Sequence, residues 1–311
     1  MALIAPNPIG RPLEHATAEE LTMTIQADQH RYEATALPDD PLVGVGGQIL
    51  VGFDGSPASE SALTWAVARA TTRGVRRIVL VGVVDDDSGA MGQDYADLAA
   101  EQAARLLSRT ADRVSEKHPS LLVDTRLARG SVAVGLAGAG SDEDLVVVGS
   151  DKTGYARGRV YGSRSLQLAA VAGGTIAVIP AVDLRLREGV VVALQEPERA
   201  GELARMGARE AVQRRSSLSL VHAIPLESGP ERHACADLTL AAGRAAASQE
   251  SPHLEVTSFL AHRRPAEAIL NLSRDKALLL VGRSRRPEPN VLGGTLHEVL
   301  MNANVPVVVV R

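Results

Sequence analysis

The sequence predicts an α/β protein made of two successive parallel-sheet units. Three observations predict it. Short runs rich in Val, Ile and Leu alternate with helical stretches; the alternation occurs twice in the same order; and in the first pass a glycine-rich segment stands between one such run and a helix. Strands covered by helices on both faces are apolar throughout rather than alternating, and these runs are of that kind.

The elements follow in chain order. Residues 1–45 have no sustained periodicity, are interrupted by Pro6, Pro8, Pro12, Pro38 and Pro41, and are expected to form a disordered tail. The first unit is expected over 46–182, with strands at 49–53, 77–84, 121–127, 145–149 and 175–179. Its first helix, 56–72, opens with Ser56 as N-cap and Pro57 at the first helical position, carries Ala62, Leu63, Ala66, Val67 and Ala70 on one face, and stops at Gly74. Further helices are expected at 95–117, 131–140 and 163–172. After a linker at 181–188 the second unit, within 183–311, repeats the order. Its strands are expected at 190–194, 218–223, 254–260, 277–281 and 305–310, and its helices at 198–215, 231–249, 265–274 and 295–302. So short a linker predicts halves that pack directly on each other.

Composition narrows the function. The chain of 311 residues has a net charge of −4 and 2% aromatic residues, which argues against a nucleic-acid partner: there is neither a basic field nor a set of stacking platforms. Cys235 is the single cysteine, so intrachain disulfides and cysteine-cluster metal sites are ruled out. No apolar run approaches a membrane span and the first residues lack the pattern of a secretory signal, so no membrane partner and a cytoplasmic location are expected. Neither a G-x-S-x-G elbow nor a G-x4-G-K-[ST] loop occurs, and the protein is expected not to be an enzyme.

The chemistry concentrates at two junctions of the first unit. The segment 149–163 reads GSDKTGYARGRVYGS and joins the run 145–148 to a helix. Four glycines, Gly149, Gly154, Gly158 and Gly162, free the backbone to turn its N–H groups towards a phosphate, and Gly162 with Ser163 would do so at a helix start. Upstream, Asp54 and Gly55 follow the first strand. An aspartate there either accepts hydrogen bonds from an adenine amino group or ribose hydroxyls, or caps the following helix.

These residues resemble the universal stress proteins, in a tandem form covering 47–311. The first strand ending in Val51-Gly52-Phe53-Asp54-Gly55-Ser56, the run Asp144 to Ser150, and Gly162-Ser163 carry the resemblance. The family's ATP-binding members have a loop G-x2-G-x9-G-[ST]; here Gly149 and Gly162-Ser163 keep the spacing, while Lys152 replaces the second glycine. The resemblance implies the universal stress protein fold, akin to the adenine nucleotide alpha hydrolases: a five-stranded parallel sheet between helix layers. It also implies ATP, with or without Mg²⁺, held in the first unit by Asp54, Gly55, Gly149, Ser150, Lys152, Gly162 and Ser163, and a regulatory, stress-response role with a protein partner. Family members pair through their last strands, so the two halves are expected to form an internal pseudo-dimer, with further homodimerisation open. Lys152 either strains the loop, adds its ammonium to phosphate binding, or blocks the site. In the last case the protein is a nucleotide-independent interaction scaffold.

The second unit departs from this pattern and is expected to be a degenerate, structural half. Gln195 stands where Asp54 stands, followed by Glu196-Pro197, and Arg285 takes the second glycine's place. Pro287 and Pro289 remove two donors from its loop. Asp85, Asp86 and Asp87 read as a solvated acidic loop, and the histidines of this half show no close metal-ligand spacing, so no metal residues are expected.

Overall fold

The computed structural model describes residues 40–84, 93–150, 163–283 and 292–311, with 93–95 and 163 described by their backbone alone. The expected tail over 1–39, Asp85 to Asp87, Lys152, Gly162, Arg285, Pro287 and Pro289 lie outside those residues. Residues 40–45, expected as the end of the tail, are in part packed. Leu42 joins the core, and the buried Asp40 pairs with Arg69. The segment lacks periodicity because it is fixed by these individual contacts and not by a repeating face.

The first half contains strands β1 (Ile49–Gly52), β2 (Arg77–Val84), β3 (Leu122–Arg129), β4 (Leu145–Ser150) and β5 (Thr175–Pro180), with helices α1 (Pro57–Arg73), α2 (Gln93–Lys117), α3 (Val132–Ala137) and α4 (Ser163–Val171). The second half contains β6 (Val190–Ala193), β7 (Leu218–Ile224), β8 (Val256–His262), β9 (Leu278–Gly282) and β10 (Val307–Val310), with α5 (Pro197–Gln213), α6 (Pro230–Glu250), α7 (Pro265–Ser273) and α8 (Gly294–Asn302). The expected elements are therefore present, with ends moved by a few residues. The largest shift, at α3, comes from a sequence diluted by Gly135, Gly138 and Gly140.

The ten strands of the described residues form one sheet, ordered β3-β2-β1-β4-β5-β10-β9-β6-β7-β8. Pairing is parallel within each half and antiparallel only at the seam, where Val307 faces Val178, Val308 faces Ala177 and Val309 faces Ile176. The expected pairing of the two last strands is thus present within one chain, and it removes an exposed edge from each half. In both halves the chain reverses direction across the sheet between the first and fourth strands of the half, β1 and β4, or β6 and β9.

Strand side chains alternate between two cores. Ile49, Val51, Leu145, Val147, Val190, Val192, Leu278 and Leu280 pack with α1, α2 and α5 on one face. Leu50, Val146, Val148, Val191, Leu279 and Val281 pack with α3, α4, α7 and α8 on the other. Because both faces are covered, the inner strands β1, β4, β6 and β9 are apolar at nearly every position, which is how they read in sequence.

A buried ion cluster crosses the first core. Arg69 of α1 donates to Glu210 of α5 at 2.5 and 3.3 Å, Arg73 reaches the same carboxylate at 3.2 Å, and Asp40 and Arg214 complete the group. Burial alone would raise the Glu210 carboxyl. The surrounding Arg69, Arg214 and Arg73 reverse that effect and hold it at about 2.

Candidate functional site

The first-half site forms where β1 and β4 end side by side. Their register pairs Val51 with Val147, so Asp54 and Ser150 each lie three residues beyond that pair. Ligands of open α/β sheets bind at such a switch point, outside the carboxyl ends of the strands.

The turn after β1 is built from short hydrogen bonds. Ser56 accepts from the Ser59 amide at 3.2 Å and so caps α1, while the Ser59 hydroxyl donates to the Ser56 carbonyl at 2.9 Å. Asp54 accepts from the Ser56 amide at 3.0 Å. The aspartate therefore does organise the helix start, one of the two roles open to it, while Ser56 is the cap. Asp54 stays exposed, and a carboxylate has acceptor sites beyond the one that this amide takes. Partial burial raises its pKa, but hydrogen bonds from Ser56 and Ser59 and the charge of Arg164 outweigh that and hold it below the ordinary value. The site thus presents an exposed carboxylate acceptor whose ionised form is favoured by Ser56, Ser59 and, from α4, the charge of Arg164.

Gly55 has φ +79°, the left-handed region that favours glycine, and a Cβ there would meet Leu106 at 3.1 Å. Gly149 is required for a different reason. A Cβ at Gly149 would lie 2.2 Å from the Ala58 carbonyl carbon and oxygen. The end of β4 and the first turn of α1 thus touch backbone to backbone, which brings the N-terminus of α1 into the crevice. Ser150 is 5% exposed, and its hydroxyl has no hydrogen-bond partner among the described residues. A buried hydroxyl left unpaired beside a crevice is a recurrent sign of a site that a ligand or water completes.

Of the seven expected site residues, the structure brings Asp54, Gly55, Gly149 and Ser150 together at this crevice and starts α4 at Ser163. Lys152 and Gly162 lie outside the described residues. Among those described, no cluster of three or more His, Cys, Asp or Glu side chains could hold a metal ion, and no helix is long and apolar enough to cross a membrane.

The universal stress protein family model matches residues 47–180 and again 187–311. The chain belongs to the universal stress protein family. Its two matched segments make it a tandem member. A universal stress protein of Mycobacterium tuberculosis is 26% identical over 299 residues, covering 85% of this chain and 94% of the relative. Another, from Mycolicibacterium smegmatis, is 33% identical over 132 residues, which is 42% of this chain and 45% of that relative's length. The crystal structure of a universal stress protein from Archaeoglobus fulgidus superposes with a TM-score of 0.66 at 20% identity, covering 85% of this chain and 98% of that one, and shares its fold.

The second half of this universal stress protein repeats the junction with other chemistry. The Leu194 amide donates to the Val221 carbonyl at 2.8 Å, as Phe53 does to Val81 at 2.9 Å, which places Gln195 where the first half has Asp54. Arg283 follows β9 but points its guanidinium back to the first half. It donates to the Ala169 and Ala172 carbonyls at 2.9 and 2.7 Å, closing the C-terminal end of α4. A cavity of about 240 Å³ lies beside it, lined among others by Gln195, His222, Arg283 and Thr295. Sequence reading did not find this cavity. Its signals were a histidine late in β7 and a Gly293-Gly294-Thr295 helix start.

Proposed function

We propose that this protein is a cytoplasmic, non-enzymatic regulatory member of its family that binds ATP in the first half, while the second half completes the sheet and braces α4. The observation that carries the reading is the ionised, exposed Asp54 at the switch point beside the backbone contact of Gly149 with α1. Asp54 would read the adenine amino group or ribose hydroxyls. Backbone N–H groups near Gly149 and at the start of α4, with Gly162 and Ser163, would receive the phosphates, as helix N-termini favour anions. The unpaired Ser150 hydroxyl and the φ of Gly55 fit such a group. Mg²⁺ would accompany the phosphates, with no protein ligand assigned to it. Occupancy would order the crevice and alter the surface shown to a protein partner. A boundary at 182–183 between the two functional halves belongs to this reading.

Calorimetric titration of ATP with Mg²⁺ into the full chain and into Asp54→Ala tests it. Binding at about one site per chain, lost in the variant, is expected. Absence of binding at millimolar ATP would reject it in favour of a nucleotide-independent scaffold, which Lys152 in place of the loop's second glycine supports.

A further inference from the structure

The ion cluster between α1 and α5 holds more positive than negative charge. The guanidiniums of Arg69, Arg73 and Arg214 face the carboxylates of Asp40 and Glu210, and the other four members are the charges that act on Arg73. The side chains of Arg69 and Arg73 are 2% and 5% exposed and that of Arg214 is 23% exposed, so water screens the imbalance poorly. The C-terminal ends of α1 and α5 lend partial negative charge, but they do not cancel it. Burial, with the charges of Arg69 and Arg214, outweighs the attraction of Glu210 and brings the Arg73 guanidinium down to about 10. Arg73 is therefore still charged at pH 7.

The hydrogen bonds are unbalanced in the same direction. Glu210 Oε2 accepts from Arg69 at 3.3 Å, from Arg73 at 3.2 Å and from Arg214, while Oε1 accepts from Arg69 at 2.5 Å. A carboxylate oxygen offers about two lone pairs, so Oε2 serves more donors than it can satisfy well. Arg69 Nε and Arg73 Nη1, both buried, have no acceptor among the described residues. Asp40 Oδ2 is unpartnered as well, and neither guanidinium donates to it. Water can answer each of these atoms singly, but it cannot answer the charge.

We propose that the joint between α1 and α5 binds one small monovalent inorganic anion, such as chloride, which accepts from Arg73 and Arg69 and brings the cluster to neutrality. One negative charge matches the excess, whereas a phosphate dianion would overshoot it. Small size matches the burial, and the partly open side at Arg214 is the way in. The anion is held by helices from both halves, so its concentration sets how firmly the halves hold together. The site stands independently of ATP binding, because the crevice lies at the first turn of α1 and the cluster at its last turns.

Urea unfolding of the full chain in sodium chloride and in sodium gluconate, at equal ionic strength, tests the site in solution. The wild-type midpoint should be higher in chloride and should rise with the logarithm of its concentration once the site begins to fill. Arg73→Met keeps the aliphatic stem and removes the excess charge, so the difference between the two salts should vanish in it. Should Arg73→Met not fold, Arg214→Met removes one charge at the open side and gives the second comparison. Phosphate, which stabilises folded chains generally, should raise the midpoints of wild type and variant alike. Crystals grown without halide and soaked in sodium bromide give the direct observation: an anomalous peak within hydrogen-bonding distance of Arg73 and Arg69. No chloride response in the wild type, an equal response in a folded Arg73→Met or Arg214→Met, or water in place of bromide at the cluster overturns the site. A phosphate response that Arg73→Met abolishes overturns the monovalent class.

Discussion

Gly149 and Gly55 lie at one crevice for opposite physical reasons, and substitution separates them. Alanine at Gly149 places a methyl 2.2 Å from the Ala58 carbonyl, so backbone must move. Alanine at Gly55 meets only a left-handed φ of +79° and the tip of Leu106. Gly149→Ala should therefore cost more than about 3 kcal/mol, and Gly55→Ala about 1–2 kcal/mol, with urea midpoints ordered accordingly. Equal midpoints would mean that β4 and α1 can part without loss. The sequence made both glycines legible as site residues but could not distinguish them. Spacing marks a glycine, and only the fold shows which neighbour would collide with its Cβ. The unpaired Ser150 hydroxyl was equally hidden, since burial of one side chain at a strand end depends on what crosses it.

At the scale of elements, α4 is held at one end by the second half. Its last carbonyls, at Ala169 and Ala172, are groups that a helix cannot satisfy internally, and Arg283 supplies both donors. Arg283→Met should leave them unpaired and cost about 1–3 kcal/mol. Amide exchange in the last turn of α4 should rise more than in α3, which Arg283 does not touch through these bonds. Uniform exchange in the variant would show that the bond does not secure the helix. The strands were read from sequence to within a few residues because two-sided burial makes them apolar throughout. The edge strands β3 and β8 both end two residues later than expected; their solvent-facing positions, such as Asp124, Thr125, Thr257 and Ser258, break the apolar run that marks a central strand. The seam of β5 with β10 came only from resemblance, because pairing between distant strands leaves no local periodicity.

At the scale of the whole molecule, the two halves should unfold together, because sheet, cores and ion cluster all run across the seam. Glu210 is the group on which this depends most. It is fully buried and answers three arginines, Arg69, Arg73 and Arg214. The sequence carried a signal for the cluster: Arg69 and Arg73 continue the helical face of Ala62 and Ala66, and Glu210 lies seven residues after the buried Leu203. Charges at core positions are readable only once a partner is known, and this partner lies 141 residues away. The folded-state pKa of about 2 lies below the ordinary 4.5. The unfolded chain therefore binds the proton more readily, and the stabilisation is complete above about pH 5 and lost as pH falls towards 2. Its size is on the order of 3 kcal/mol. The difference in unfolding free energy between wild type and Glu210→Gln should accordingly be largest near pH 7 and shrink through that window. Glu210→Ala, which leaves the arginines with Asp40 alone, should cost about 3–5 kcal/mol at neutral pH. Trp65, the single tryptophan, has Arg69 over its ring at 5.3 Å and reports on the cluster directly. Its fluorescence should change at the same urea concentration as far-UV circular dichroism. Two separated transitions, with Trp65 following only one, would show that the halves are coupled too weakly for the cluster to join them.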